Sequence, residues 1–169
     1  WIDFAVNDIY ASGYWDGIFL DEVASSISWV GITDLDQNGT QDDSHTADLA
    51  WKAGYADLFA TLRGHLVPNA ILITNGTSDS SLQSNVNGRM FESFPTPWEG
   101  AGQWEDTMRL LFKNENQNKD PDVFFLNSNT NNTGVVDLQK MRFGLTSALL
   151  GGAFFGYDFG TNRHADTWT

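Results

Sequence analysis

Trp15-Asp16-Gly17-Ile18-Phe19-Leu20-Asp21-Glu22-Val23 is an apolar run of strand type that ends abruptly in two adjacent acids. A buried strand that closes on carboxylates presents charge at the end of a sheet, which is where α/β proteins keep their chemistry. The arrangement returns at Arg89-Met90-Phe91-Glu92-Ser93-Phe94-Pro95, with a single Glu after a short apolar run. Two strand-end carboxylates suggest an acid/base pair. An acid in such a place also serves as a helix cap or a solvated loop residue. For Asp21-Glu22 that use is weakened: Ala24, Ser25 and Ser26 follow with no obvious helix to cap, and Trp29 is near enough in sequence to help wall a pocket.

Outward from this strand the pattern alternates. Leu49, Ala50, Ala53, Ala56, Leu58, Phe59 and Leu62 predict an amphipathic helix over 47–66, with Gly64 near its end. Strands are predicted over 70–74, 88–91, 122–127 and 153–157, and helices over 103–113 and 137–149. Strands without strict alternation, separated by helices or polar loops, imply a parallel sheet covered on both faces. The five strand ends read Asp21-Glu22, Asn75, Glu92, Asn127 and Asp158. Polar residues repeated at one end of successive parallel strands are the pattern of a (β/α)8 barrel mouth, whereas a doubly wound sheet concentrates its ligand at one switch point. A full barrel takes roughly 250 residues. The expected architecture is therefore α/β, with residues 1–169 as a single barrel-type domain: the C-terminal five βα units of a (β/α)8 TIM barrel, a fragment of a longer catalytic domain. Trp1, Phe4, Ala5, Ile9 and Tyr10 recur at helical spacing with no preceding cap, as if the chain started inside a helix. On this expectation the N-terminal part of the same barrel is a missing partner.

Composition bounds the function. Nine Lys and Arg against 22 Asp and Glu give a formal charge of −13 and a pI near 4.2, which argues against nucleic acid and other polyanions. No cysteine is present, so disulfides and thiolate metal sites are excluded. No apolar stretch has the length of a membrane span. Seven Trp exceed what an average core requires, and indole faces stack on sugar rings as readily as they fill cores. Secretion or a cell-surface location in a bacterium or archaeon suits these features, and the cytoplasm is left open.

Hydrolysis of a glycosidic bond needs one carboxylic acid to protonate the leaving oxygen and one carboxylate to attack the anomeric carbon or activate water. Asp21, close to Asn75 of the next strand, takes the nucleophile or electrostatic role. Glu92, with Phe91, Phe94 and Trp98 beside it in sequence, takes that of general acid, because apolar walls favour a protonated carboxyl. Glu22 is the rival for either role, since alternation along a strand lets only one of Asp21 and Glu22 point inward. Glu22, Trp29, Asn75, Trp98, Asn127, Tyr157 and Asp158 are the expected substrate-binding residues. Retention or inversion stays open.

The order Phe19-Leu20-Asp21, Ile73-Thr74-Asn75, Phe91-Glu92-Ser93, Tyr157-Asp158 resembles the C-terminal half of barrel glycosidases of the hypothetical glycosyl-hydrolase-like family fifteen. It is similar as well to the endo-α-1,4-polygalactosaminidases. In that second family a strand-four Asp and a strand-six Glu act as nucleophile and acid, and the resemblance carries these roles to Asp21 and Glu92. It implies a glycoside hydrolase acting on a polysaccharide, although the isolated fragment is not assured of activity. The competing reading is a non-catalytic carbohydrate-binding or scaffold domain of the same barrel architecture. A flavodoxin-like phosphoacceptor module would need a strand-end Lys, and Lys is scarce.

The segment 33–44 reads as an insertion. Asp34, Asp36, Asn38 and Asp42 fall at positions one, three, five and nine of a calcium loop, Gly39 at six, and Thr40 offers a backbone carbonyl. Position twelve is His45 rather than Glu, and Asp43 is a candidate to complete the shell. A structural Ca2+ is expected here, against the alternative of a solvated acidic turn. His45, His65 and His164 lack zinc spacing; His65 suits a helix end, and Arg163 and His164 belong to a loop after the last strand.

Overall fold

The computed structural model describes residues 1–31, 34–98 and 102–160. The chain is α/β, with five strands alternating with helices, and it divides into two compact units, Trp1–Val86 and Asn87–Thr169.

The first unit opens with helix α1 (Ile2–Phe4), which runs on through a π turn at Ala5–Ile9 and a 3-10 turn at Tyr10–Ser12. Strand β1 (Gly17–Val23), helix α2 (Ser44–His65) and strand β2 (Ile71–Gly76) follow. β1 and β2 are parallel, with Phe19 opposite Ile73 and Leu20 opposite Thr74. Helix α2 starts where it does because the Asp43 carboxylate accepts the backbone N–H groups of His45 and Thr46, both at 3.1 Å, and the Thr46 hydroxyl at 2.6 Å. Those bonds, the Thr46 hydroxyl first, hold the Asp43 carboxyl below its ordinary range. Asp43, expected as a possible cation ligand, is thus the N-cap. Arg63 and His65 occupy the last turn, where cations complement the helix dipole. Arg63 also donates to the carbonyls of Asn85 and Ala70. Phe59 and Leu62 of α2 pack with Leu20 and Val23 of β1 and Leu72 of β2 in one buried cluster. A short helix α3 (Ser80–Gln83), which the hydrophobic pattern does not predict, is capped by Asp79. Burial disfavours the Asp79 charge, but its 2.7 Å ion pair with Lys52 and the bonds from Ser81 outweigh that and keep its carboxyl below the ordinary range.

The second unit consists of β3 (Gly88–Phe91), α4 (Trp104–Glu115), β4 (Phe125–Asn129), α5 (Leu138–Leu150) and β5 (Phe154–Asp158). β4 runs parallel to both β3 and β5. Phe91, Phe94, Met108, Leu111, Phe124, Leu126 and Ala148 form its core. α5 lies directly on β4 because Gly144 has no Cβ; one built there would run into Ser128 Oγ and the Phe155 ring. Asp137 caps α5 by accepting Lys140 N–H at 2.9 Å. Arg89 is wholly buried, its guanidinium 4.3 Å from the centre of the Phe91 ring.

The expected elements are all present with shifted ends. β4 begins later than its apolar run and extends into Asn127-Ser128-Asn129, because these polar residues pair with Gly156, Tyr157 and Asp158. Among the described residues no helix is long and apolar enough to cross a membrane.

Candidate active site

The carboxyl end of β1 is bulged. Leu20 pairs with Thr74 and Val23 with Gly76, so Asp21 and Glu22 together stand opposite Asn75 alone. Alternation breaks here, and both side chains are exposed; of the two, Asp21 lines the hollow described below. Glu22 has φ 57°, a left-handed conformation disfavoured for a residue with a Cβ. The Tyr55 hydroxyl fixes it by donating to the Glu22 carbonyl at 2.9 Å, and the same carbonyl accepts Ala24 N–H. Burial, with the charge of Glu22 adding to it, pushes the Tyr55 phenol up, so it stays a donor.

Asp21 is exposed at the bulge. Its Oδ1 accepts Asn75 Nδ2 at 2.9 Å and Glu22 N–H at 3.0 Å. Among the described residues, Oδ2 accepts no hydrogen bond. The expected closeness of Asp21 to Asn75 is therefore a direct bond. Beside Asp21 opens a hollow of about 760 Å3, lined among others by Trp1, Phe19, Leu35, Trp51, Tyr55 and Leu58. Trp51 and Tyr55 meet edge to face, ring centres 5.3 Å apart, and Trp51 Nε1 donates to the Ala24 carbonyl at 3.2 Å. Trp29 is not among the lining residues. It is 66% exposed and its indole N–H bonds Ser26 O; the neighbouring turn is tied to α2 by Asp48, which accepts Ile27 and Ser28 N–H at 2.8 Å each.

In the second unit, Phe91 pairs with Leu126, which pairs with Phe155, and this face packs into the core. Asn127, Asn129 and Asp158 occupy the opposite face by register. Glu92, half-buried, follows Phe91 at the end of β3. Phe91 and Phe94, read from the sequence as walls around Glu92, are both wholly buried in the core, and Trp98 is 56% exposed. Tyr157, expected beside Asp158, sits one residue out of phase and turns to the helix side: its hydroxyl accepts Asp137 N–H at 2.7 Å and donates to Asp137 O at 3.1 Å, at the start of α5. Asp158 Oδ1 accepts Gly160 N–H at 2.8 Å.

The acidic turn is closed by its own side chains. Asp34 accepts Asn38 and Gly39 N–H, Asp36 accepts Asn38 N–H and Nδ2, Asn38 Oδ1 accepts Thr40 N–H, and Asp42 accepts Leu35 N–H, with Gly39 at φ 86°. Among the described residues no three His, Cys, Asp or Glu side chains come together as a cation site. Thr33, Arg163 and His164 lie outside the described residues.

The family profile described as hypothetical glycosyl hydrolase family 15 matches residues 1–169. The chain belongs to that family. No curated protein matches it. Membership of the hypothetical glycosyl hydrolase family 15 supports a glycosidase at the level of reaction class. Beyond the residues read from its sequence, this family member shows Trp51 and Tyr55, whose i, i+4 spacing on α2 was the available signal, and the Ser93–Asn129 pair, for which spacing gives none.

Proposed function

We propose that the chain is a glycoside hydrolase of (β/α)8 type acting on an extracellular or cell-surface polysaccharide, with Asp21 as nucleophile or charge stabiliser and Glu92 as general acid. The observation that carries this reading is the Asp21 carboxylate, oriented through one oxygen by Asn75, with an aromatic-lined hollow large enough for a sugar ring beside it. Aromatic faces bind the C–H faces of pyranose rings, and a carboxylate accepts their hydroxyls. Glu22, Asn127 and Asp158 supply further polar contacts to substrate. The resemblance to endo-α-1,4-polygalactosaminidases makes an α-linked amino-sugar polymer the first substrate to try, and a charge of −13 suits a cationic chain. Release of reducing ends from a soluble α-1,4-galactosamine oligomer is the test, with the product anomer followed by NMR. Binding of the oligomer without any release would leave a carbohydrate-binding domain instead.

A second proposal concerns the 34–42 turn. Its donors are all oxygen, from Asp34, Asp36, Asn38, Thr40 and Asp42, the set a hard cation prefers. Because the carboxylates are engaged with loop amides, binding requires rearrangement and is expected to be weak, on the order of millimolar. Calorimetric titration with Ca2+ should show such binding in the native chain and lose it in Asp34→Ala; no heat at 10-fold higher concentration removes calcium from the account.

A further inference from the structure

We propose that Asn129 is a positioning residue for Glu92, acting through Ser93; this rests on the reading of Glu92 as general acid. Phe91 and Phe94 are three residues apart, which in a continuing strand would send them to opposite faces. Both are wholly buried in the same core cluster. The chain reconciles the two by turning sharply at Ser93, which has φ 55°. A serine is disfavoured in that conformation, and it persists where surrounding bonds over-determine it.

Two bonds do so. Phe94 N–H donates to the Asn127 carbonyl at 2.8 Å, returning the chain to β4. Asn129 Nδ2 donates to Ser93 Oγ at 2.7 Å, gripping the strained residue by its side chain. The Asn129 carboxamide is itself held at its other end, its Oδ1 accepting Asn131 N–H at 3.1 Å. Asn131 is also left-handed, at φ 54°. The result is a chain of fixed groups running from the loop after β4, through Asn129, to the residue that follows Glu92. The direction in which Glu92 leaves β3 is thereby set by β4.

The test compares methyl and 4-nitrophenyl α-galactosaminide as substrates of the native chain and its variants. Asn129→Ala is expected to lower kcat on the methyl glycoside by about 10- to 100-fold, with KM changed by less than about 2-fold. The loss should be much smaller on the nitrophenyl glycoside, whose leaving group needs little protonation. Adding Ser93→Gly, which adopts the left-handed conformation freely, should restore most of the activity of Asn129→Ala. Equal losses on the two substrates, or no rescue, overturn the proposal. A Glu92→Gln chain of full activity sinks the general-acid reading itself, whereas an inactive Glu92→Gln beside an unaltered Asn129→Ala removes only the positioning role. Melting temperatures of the two single variants and the double variant give a measure independent of turnover: non-additive shifts are expected, and additive ones count against the pair.

Discussion

Asp21→Asn is expected to abolish hydrolysis, lowering kcat on the order of 10^4-fold, as loss of a residue that acts as part of a catalytic unit does. The change is nearly isosteric, so Asn75 and the Glu22 amide keep an oxygen to donate to, and the bulge should survive. Circular dichroism and the melting temperature should therefore match the native chain. What disappears is the negative charge facing the hollow, and with it either the attacking oxygen or the group that stabilises an oxocarbenium-like transition state. The two roles separate with Asp21→Ala and added azide. A nucleophile that has been removed leaves room for the azide ion, and a glycosyl azide forms; a purely electrostatic role gives no such product. Undiminished release of reducing ends by Asp21→Asn would end the assignment.

Glu92→Gln is expected to cost about 10^2- to 10^4-fold on glycosides with alkoxide leaving groups, the usual contribution of a positioned proton donor. On activated aryl glycosides the same change should cost little, because a phenolate of low basicity departs unprotonated. This substrate dependence separates an acid from a residue that merely supports the fold, which would lower both rates alike. Glu92 follows a wholly buried Phe91 and precedes a left-handed Ser93. Glutamine has the same reach, so neither neighbour is disturbed. A rate loss independent of leaving group would remove Glu92 from the chemistry.

Much of the fold was legible because it depends on local pattern. The strands expected over 70–74, 88–91 and 122–127 each overlap an observed one, and Asp137 begins the helix it precedes. Helical spacing predicted α2, α4 and α5 to within three residues at either end. Polar strand tails were harder to see: Asn127-Ser128-Asn129 belongs to β4 only because β5 supplies partners for its backbone, and hydropathy does not register that. Helix α3 is a single capped turn with no apolar period to announce it.

The site divides in the same way. The strand-end acids made Asp21 and Glu92 candidates, since charge at the close of an apolar run is visible in one dimension. Which way those acids are aimed was not. The bulge that frees both Asp21 and Glu22, the phase that turns Tyr157 towards α5, the reversal at Ser93 and the convergence of Trp1, Phe19, Trp51 and Tyr55 on one hollow all arise from register and from bonds between distant residues. A strand's own residues fix which positions alternate, but only its hydrogen-bonded neighbour fixes where the alternation breaks.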